Sequence, residues 1–186
     1  MVAESTKQTD LETERILRAQ QGDRDAFGDL VSQHHQRVIS VVYRMCGEMH
    51  IAEDATQIAF LRAWQNLPDY QSNTSFRSWL YRIAINAALD MLRREKSVVN
   101  IEHTPLSQSF KTENHLMKEE QAQFVKNAVL NLPETSRTVL ILREYEDLSY
   151  KEISETLAIP VGTVMSRLNY ARKTLAKVLK PSMEDR

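Results

Sequence analysis

The fold is decided by residues 148–173, near the C-terminal end of the chain, which read LSYKEISETLAIPVGTVMSRLNYARK. Within them, Ser149 and Glu152 have the Ser-x-x-Glu spacing of a capping box, in which the two side chains bond backbone amides at the start of a helix. Ile153 and Leu157 supply the inward face of a helix that begins there. This part of the stretch therefore predicts one short, capped helix.

A second helix is predicted after a turn at residues 158–160. It opens at Gly162 and Thr163, and its inward face consists of Val164, Leu168, Ala171 and Leu175. Its opposite face consists of Met165, Ser166, Arg167, Asn169, Tyr170 and Lys173. Short polar and basic side chains near the start of such a helix can reach base edges in the major groove, and basic ones farther along suit phosphates. We interpret the stretch as a helix-turn-helix, although a helical hairpin with a solvated charged face would show the same periodicity.

The charge of the chain is unevenly distributed. Its formal net charge is −1, which by itself argues against a free-standing DNA-binding protein, because such proteins usually carry a basic excess. No acidic residue stands between Glu155 and Glu184, and the basic residues there are Arg167, Arg172, Lys173, Lys177 and Lys180. The predicted second helix therefore has a local basic face that the overall charge conceals.

The composition predicts an all-α fold. The 186 residues are 42% hydrophobic and include only 4 glycines and 5 prolines, so long uninterrupted elements are expected. Alanine, leucine, glutamate, glutamine and arginine, which favour helices, abound, and runs of β-branched residues are short. The length suffices for two small helical domains.

Four helices are predicted in the N-terminal half from apolar residues at three- and four-residue steps. They cover residues 11–20 up to Gly22, the residues between an Asp23 cap and Gly47, residues 51–66, and the residues from Phe76 to the charged stretch at 93–96. A polar loop at residues 69–75 precedes the fourth helix, with Ser75 as its cap. The fourth helix has the clearest apolar stripe, in which Trp79, Leu80 and Ile83 are interpreted as core residues.

Residues 97–115 lose this periodicity and are interpreted as a flexible linker between two domains. After them, a helix is predicted over residues 116–131, and another runs through about Tyr145 with Pro133 in its first turn. The predicted division is therefore a domain at residues 1–96, the linker at 97–115, and a domain at 116–186 that contains the helix-turn-helix.

The sequence contains no recognisable catalytic or metal-binding pattern, and no cofactor is expected. Its histidines, His34, His35, His50, His103 and His115, lack metal-ligand spacing, and no glycine-rich phosphate loop is present. Cys46 is more readily a half-buried core thiol than a zinc ligand or redox sensor with His50. The single cysteine, the polar N-terminus and the lack of an apolar stretch of about 20 residues predict a cytoplasmic protein without membrane insertion.

Three segments together resemble the extracytoplasmic-function (ECF) sigma factors. Residues 54–64, DATQIAFLRAW, resemble region 2.2 of that family, and residues 76–86, FRSWLYRIAIN, resemble regions 2.3 to 2.4. Residues 148–154, LSYKEIS, together with residues 160–164, PVGTV, resemble region 4.2. The resemblance implies a non-enzymatic transcription initiation factor. It would have a region 2 helical bundle and a region 4 helix-turn-helix, and it would direct core RNA polymerase to promoters.

The resemblance also implies roles for individual residues. Docking on the clamp coiled coil of the polymerase is implied for Asp54, Gln57 and Arg62. Recognition and melting of the minus-ten element, including capture of a flipped base, are implied for Tyr70, Ser72, Asn73, Phe76, Arg77, Tyr81, Arg82 and Asn86. Contacts to the minus-thirty-five element are implied for Arg143, Thr163, Ser166, Arg167, Asn169, Tyr170, Arg172 and Lys173. A cognate anti-sigma factor is a further implied partner.

Two positions depart from the family pattern. Met165 stands in the recognition helix where many relatives have arginine or lysine, and a thioether reads no guanine edge, so base preference should differ there. Ile58 stands where relatives usually have glutamate, which puts one polymerase contact in doubt.

Two other functions are consistent with parts of the sequence. A dimeric helix-turn-helix regulator would explain residues 148–173, but it would leave the N-terminal half without a role. A helical adaptor that binds only a protein partner would explain the helices, and substitutions of Asn86 or Arg167 would then leave promoter activity unchanged.

Overall fold

The computed structural model describes residues 2–71, 73–98 and 113–179, and in them the chain is helical and contains no strand. This confirms the predicted all-α class. In the described residues the helices are α1 (Val2–Gln20), α2 (Arg24–Cys46), α3 (Met49–Asn66), α4 (Phe76–Val98), α5 (Glu113–Leu130), α6 (Glu134–Glu144), α7 (Tyr150–Leu157) and α8 (Val161–Leu179). A 3-10 turn at Leu67–Asp69 follows α3.

The ends of α2 follow the sequence signals. The Asp23 side chain accepts hydrogen bonds from the amides of Asp25 and Ala26, each at 3.0 Å, and so satisfies donors that the first turn leaves free. At the other end, Gly47 has a φ of +83°, in the left-handed region that glycine adopts without steric cost. Both predicted boundaries of this helix are confirmed.

Helices α1 to α4 form the N-terminal unit, in which α3 packs between α2 and α4. Four fully buried alanines, Ala52, Ala55, Ala59 and Ala63, line the inner surface of α3. Residues three or four apart share one face of a helix, and small side chains on that face let neighbouring helices approach closely. The predicted core residue Leu80 is buried on α4, whereas Trp79 and Ile83 are half-buried against the core.

Polar contacts fix α1 on α2. The carboxylate of Glu12 lies 2.8 Å from Nε2 of His34, which is buried, and it also accepts a 2.8 Å hydrogen bond from Gln33. The hydrogen bond with His34 lowers the pKa of Glu12 below its ordinary value, although burial opposes the shift. A carboxylate placed in this way offsets the cost of burying a polar histidine.

Helices α5 to α8 form the C-terminal unit, in which α8 packs against α5, α6 and α7. Val164, Leu168 and Ala171 of α8 are buried as the sequence predicted, and Leu175 is half-buried. These side chains meet the buried residues Val139 and Ile153 in the same apolar core.

The two units pack directly against each other, with α2 against α5 and α6 and with α4 against α7. The half-buried guanidinium of Arg137 ties them together, because it donates to the carbonyls of Leu130 at 2.6 Å and Leu132 at 2.9 Å and also to that of Met45 in α2. Lys126 of α5 donates a 2.6 Å hydrogen bond to the hydroxyl of Tyr43 in α2. No pattern in the sequence indicates this packing, and the buried residues of both units form one continuous core.

Several predicted boundaries differ from the observed ones. Helix α1 begins at Val2 rather than near residue 11, because extending a helix that has already formed adds a hydrogen bond for each residue and needs no apolar stripe. Pro133 caps α6 in an extended conformation instead of lying in its first turn. Helix α4 continues to Val98 and α5 begins at Glu113, so most of the predicted linker, residues 99–112, lies outside the described residues.

Candidate nucleic-acid and partner interfaces

The helix-turn-helix is formed by α7 and α8. The Ser149 hydroxyl accepts from the amide of Glu152 at 3.2 Å, and the Glu152 carboxylate accepts from the amide of Ser149 at 2.8 Å, so the predicted capping box is present. The hydrogen bonds with Ser149 lower the pKa of Glu152. Helix α7 ends at Leu157, and the next residue, Ala158, has a φ of +51° that turns the chain toward α8.

Replacing Ser149 with alanine is expected to reduce the free energy of unfolding by about 1 kcal/mol, because the first turn of α7 loses the side-chain acceptor of its capping box. Denaturant unfolding followed by circular dichroism measures the change. Ser149→Thr keeps a hydroxyl at the cap and should lose less than half as much. Equal losses in the two variants would contradict a capping role.

The exposed face of α8 carries half of the predicted minus-thirty-five residues. Ser166, Asn169, Tyr170 and Lys173 are exposed and occupy positions i, i+3, i+4 and i+7, so they share one face of the helix. Met165 lies beside them with 53% of its surface exposed. Thr163 is half-buried, and its carbonyl accepts a 3.0 Å hydrogen bond from Ser166. An exposed polar face of this kind suits a nucleic-acid groove.

Two predicted minus-thirty-five residues instead make contacts within the C-terminal unit. Arg143 donates to the carbonyl of Leu148 at 2.9 Å, and its guanidinium lies 5.5 Å from the centre of the Tyr150 ring. Arg172 donates twice to Glu144, at 2.6 and 3.1 Å, and this hydrogen bonding raises its pKa. The pair between Arg172 and Glu144 is exposed, so it contributes little stability, and a phosphate could displace it.

The predicted minus-ten residues of α4 divide into exposed and buried groups. Arg82 and Asn86 are exposed and lie one turn apart. They line a cavity of about 220 Å³ together with the half-buried Arg167 of α8. The packing of the two units therefore brings together side chains that the resemblance assigns to two different promoter elements.

Phe76 and Tyr81, which the resemblance assigns to the DNA surface, are both buried in this arrangement, with 2% and 1% of their surfaces exposed. Phe76 lies among the rings of Tyr70, Trp79 and His34, with ring centres 5.7, 5.5 and 5.3 Å away. The Tyr81 hydroxyl donates to the carboxylate of Glu146 in the C-terminal unit. Burial, together with this hydrogen bond, raises the pKa of Tyr81 far above its ordinary value. Neither ring can meet DNA unless the structure rearranges.

The loop before α4 is anchored by hydrogen bonds. The carbonyl of Tyr70 accepts from Gln20 at 2.9 Å, and its hydroxyl donates to the carbonyl of Thr74 at 2.7 Å. Ser75 accepts from the amide of Ser78 at 3.2 Å, as expected of the predicted cap. Asn73 is exposed, Arg77 in the first turn of α4 is half-buried, and Ser72 lies outside the described residues.

The predicted polymerase-binding residues of α3 do not all face the same way. Asp54, Gln57 and Arg62 are exposed, but only Gln57 lines an apolar groove of about 520 Å³ between α2 and α3. Arg62 is turned toward α4, where its guanidinium lies 3.9 Å from the carboxylate of Asp90. Ile58 is half-buried against the core, which suits an isoleucine better than the glutamate of the family pattern.

Sequence reasoning missed the apolar lining of this groove. Apart from Arg24, His35 and Gln57, it is lined by Phe27, Val31, Phe60, Leu61 and Trp64. Leu61 has 62% of its surface exposed, so most of this large apolar side chain contacts solvent and not the core. The available signal was that Leu61 falls outside the alanine stripe that faces the core, so its side chain had no internal partner.

The described residues contain no group of three or more histidine, cysteine and acidic side chains that could hold a metal ion. Among them, Cys46 is half-buried and takes part in no disulfide bond. None of the helices in the described part of the chain is long and apolar enough to cross a membrane.

Comparison with known protein families defines the class. A model of Sigma-70 region 2 matches residues 30–98, and a model of Sigma-70 region 4 matches residues 125–175. The ECF RNA polymerase sigma factor SigW of Bacillus subtilis is 35% identical over 178 residues, 89% of this chain and 95% of its own length. The ECF RNA polymerase sigma-E factor of Escherichia coli is 34% identical over 183 residues, 91% of this chain and 95% of its own.

Solved structures agree with this class. CnrH, solved in complex with the cytosolic domain of CnrY, is 25% identical with a TM-score of 0.71, and the match covers 92% of this chain and 98% of CnrH. RpoE of Bartonella quintana, solved with the anti-sigma factor NepR, has a TM-score of 0.67 at 21% identity over 83% of this chain and 96% of RpoE, and shows a shared fold. The chain belongs to the ECF sigma factors. This membership does not favour a dimeric helix-turn-helix regulator.

Proposed function

We propose that this sigma factor binds core RNA polymerase through α3, and that α8 and α4 then direct the enzyme to promoters. The observation that carries the proposal is the exposed polar face of α8. This face belongs to a helix-turn-helix whose first helix begins with a capping box. The same chain also has an open apolar groove on α2 and α3. The chain contributes binding and strand opening, and catalysis belongs to the polymerase. Such a partner implies action in the cytoplasm.

The groove on α2 and α3 is the proposed polymerase-docking surface. Gln57 lines it, and Asp54 and Arg62 are the other α3 residues assigned to docking. An exposed apolar patch on a folded chain usually marks a binding surface. Here the apolar side chains Leu61 and Trp64 stand beside the polar Gln57, which gives the mixture of apolar centre and polar rim that protein interfaces show. The clamp coiled coil of the polymerase, itself helical, fits such a groove.

The proposed promoter contacts fall in two sets. The minus-thirty-five element is assigned to Arg143, Thr163, Ser166, Arg167, Asn169, Tyr170, Arg172 and Lys173. The minus-ten element is assigned to Tyr70, Ser72, Asn73, Phe76, Arg77, Tyr81, Arg82 and Asn86, where aromatic faces and amide hydrogen bonds would offset the few kcal/mol that flipping a base costs. Because Phe76 and Tyr81 are buried here, their use requires a change in packing.

An anti-sigma factor is the proposed regulator. CnrH was solved with the cytosolic domain of CnrY, and the RpoE of Bartonella quintana was solved with the anti-sigma factor NepR. An inhibitor that covers the groove on α2 and α3 would compete directly with polymerase for the same apolar side chains.

Run-off transcription tests the proposed function. Core RNA polymerase, the full chain and a randomised promoter library are combined, and the transcripts are sequenced. The expected result is a selected pair of promoter elements that core polymerase alone does not use. Free chain should bind the selected promoter weakly and with strong salt dependence. A tight specific footprint by the chain alone, or no effect of the chain on transcription, would contradict the proposal.

Replacing Arg167 with alanine is expected to weaken recognition of the upstream element by about 1–3 kcal/mol, because a base or phosphate contact is lost. Competition between promoters with intact and scrambled upstream elements measures the change. Lys151→Ala removes a positive charge from the exposed outer side of α7 and serves as the control. An unchanged preference in Arg167→Ala would favour the adaptor alternative, in which the chain contacts only protein.

A further inference from the structure

The exposed face of α8 contains one long apolar side chain among polar and basic ones. Met165, the fifth residue of the helix, has 53% of its surface exposed. Ser166 follows it directly, and Asn169 lies one turn later on the same side of the helix. In a helix-turn-helix, residues near the start of the second helix reach base edges in the major groove. Met165 therefore stands where a side chain meets a base and not a phosphate.

The space around Met165 is open. Together with Gly162 and Tyr150, it lines a surface recess of about 530 Å³ that also includes Asn169 and Arg172. Gly162 lies one turn before Met165, and a β-carbon added there would meet no described side chain within 4 Å apart from those of its chain neighbours. The recess and the missing side chain leave room for the edge of a base pair beside the thioether.

The chemistry of a thioether favours one base. Its sulfur donates no hydrogen bond and accepts only weakly. The major-groove edges of guanine, adenine and cytosine present polar groups, whereas thymine alone adds an apolar methyl group at C5. Against a polar edge, the Met165 side chain would displace water and leave a donor or acceptor without a partner, which is costly. Against the thymine methyl group, both partners bury apolar surface.

We propose that Met165 determines specificity in the upstream promoter element by contacting the methyl group of one thymine. This inference rests on the proposed function, and it names the base that one residue of α8 selects. Met165 carries no charge, so it contributes base preference without adding to the attraction between this face and phosphates. The three rotatable bonds of methionine let the side chain adjust to the position of the methyl group.

The test uses holoenzyme, formed from core polymerase and the full chain, on the promoter selected in run-off transcription. Each thymine of the upstream element, on either strand, is replaced singly by deoxyuridine, which lacks only the methyl group. Competition with the unmodified promoter measures the relative affinity. At one position the wild-type chain should bind the deoxyuridine promoter about fourfold more weakly, as expected for the burial of one methyl group.

Met165→Ala should abolish this difference, because the shortened side chain no longer reaches the methyl group. The dependence of log affinity on log salt should stay that of wild type, since no phosphate contact is lost. Met165→Leu keeps an apolar side chain of similar size and should retain most of the discrimination. A merely structural role of Met165 would instead lower the affinity for both promoters and leave their ratio unchanged.

Two further variants complete the experiment. Val178→Ala is the matched control, because Val178 is 42% exposed on the same helix but lies about 20 Å from Met165 along its axis. It should keep the fourfold difference between thymine and deoxyuridine. Met165→Arg places a guanidinium group at the same position, and it should prefer guanine there, because the arginine fork bonds O6 and N7 of that base.

Three results would overturn the inference. They are an upstream element in which no thymine is distinguished from deoxyuridine, a discrimination that persists in Met165→Ala, or an equal loss of discrimination in Val178→Ala. A wild-type chain that selects a promoter and gives one of these results keeps the proposed function and loses this contact. A chain that selects no promoter loses both.

Discussion

Replacing Leu61 with aspartate is expected to prevent assembly with core RNA polymerase while leaving the chain folded. The side chain is 62% exposed in the apolar groove on α2 and α3, so its loss removes little internal packing. A carboxylate buried at the centre of an interface is expected to cost about 2–4 kcal/mol, which corresponds to a roughly 30- to 900-fold weaker complex. Titration of labelled chain with core polymerase measures the dissociation constant.

Leu17→Asp provides the matched control for this experiment. Leu17 is 55% exposed on α1, and it does not line the groove. Both variants should show the circular dichroism spectrum and thermal unfolding of wild type. If Leu61→Asp binds polymerase as well as Leu17→Asp does, the groove is not the docking surface.

Replacing Asn86 with alanine is expected to impair promoter opening far more than polymerase binding. Asn86 is exposed on α4, so the substitution removes an amide that can bond a flipped base and disturbs no core contact. Loss of such a contact costs about 1–3 kcal/mol, which corresponds to a roughly 5- to 150-fold smaller open fraction. Permanganate reactivity of promoter thymines measures opening, and polymerase titration measures binding.

The control for this experiment is Asn127→Ala, which removes an exposed amide from α5 that bonds Gln123 within the same helix. It should open the promoter as wild type does. A parallel loss of polymerase binding and opening in Asn86→Ala would show that Asn86 acts in assembly. Unchanged promoter opening in Asn86→Ala would show that Asn86 does not contact the minus-ten element.

Local signals made the helix-turn-helix predictable from sequence. The capping box of Ser149 and Glu152 and the buried stripe of α8 depend on residues within a few positions of one another. The same holds for the Asp23 cap and the Gly47 end of α2. Interactions of this kind are fixed by backbone geometry and appear in the sequence as spacing.

The packing of the two units could not be predicted in this way. Tyr81 and Glu146 are 65 residues apart, and neither residue type by itself indicates a buried partner. Arg137 reads in the sequence as an ordinary helix arginine, yet it bonds a carbonyl 92 residues away. The predicted DNA role of Tyr81 came from the family pattern, which carries no information on how the two units pack in the free chain.

The continuous core that joins the two units has a consequence for the energetics of the whole molecule. Since apolar residues of both halves share one interior, heat or denaturant should melt the free chain in a single cooperative transition rather than two. A substitution that destabilises the helix-turn-helix is then expected to destabilise the polymerase-docking surface as well, and the reverse also holds. A binding partner that separates the two units must offset the free energy of burying that shared interior. Separation therefore frees the inner surfaces of both units at the same time.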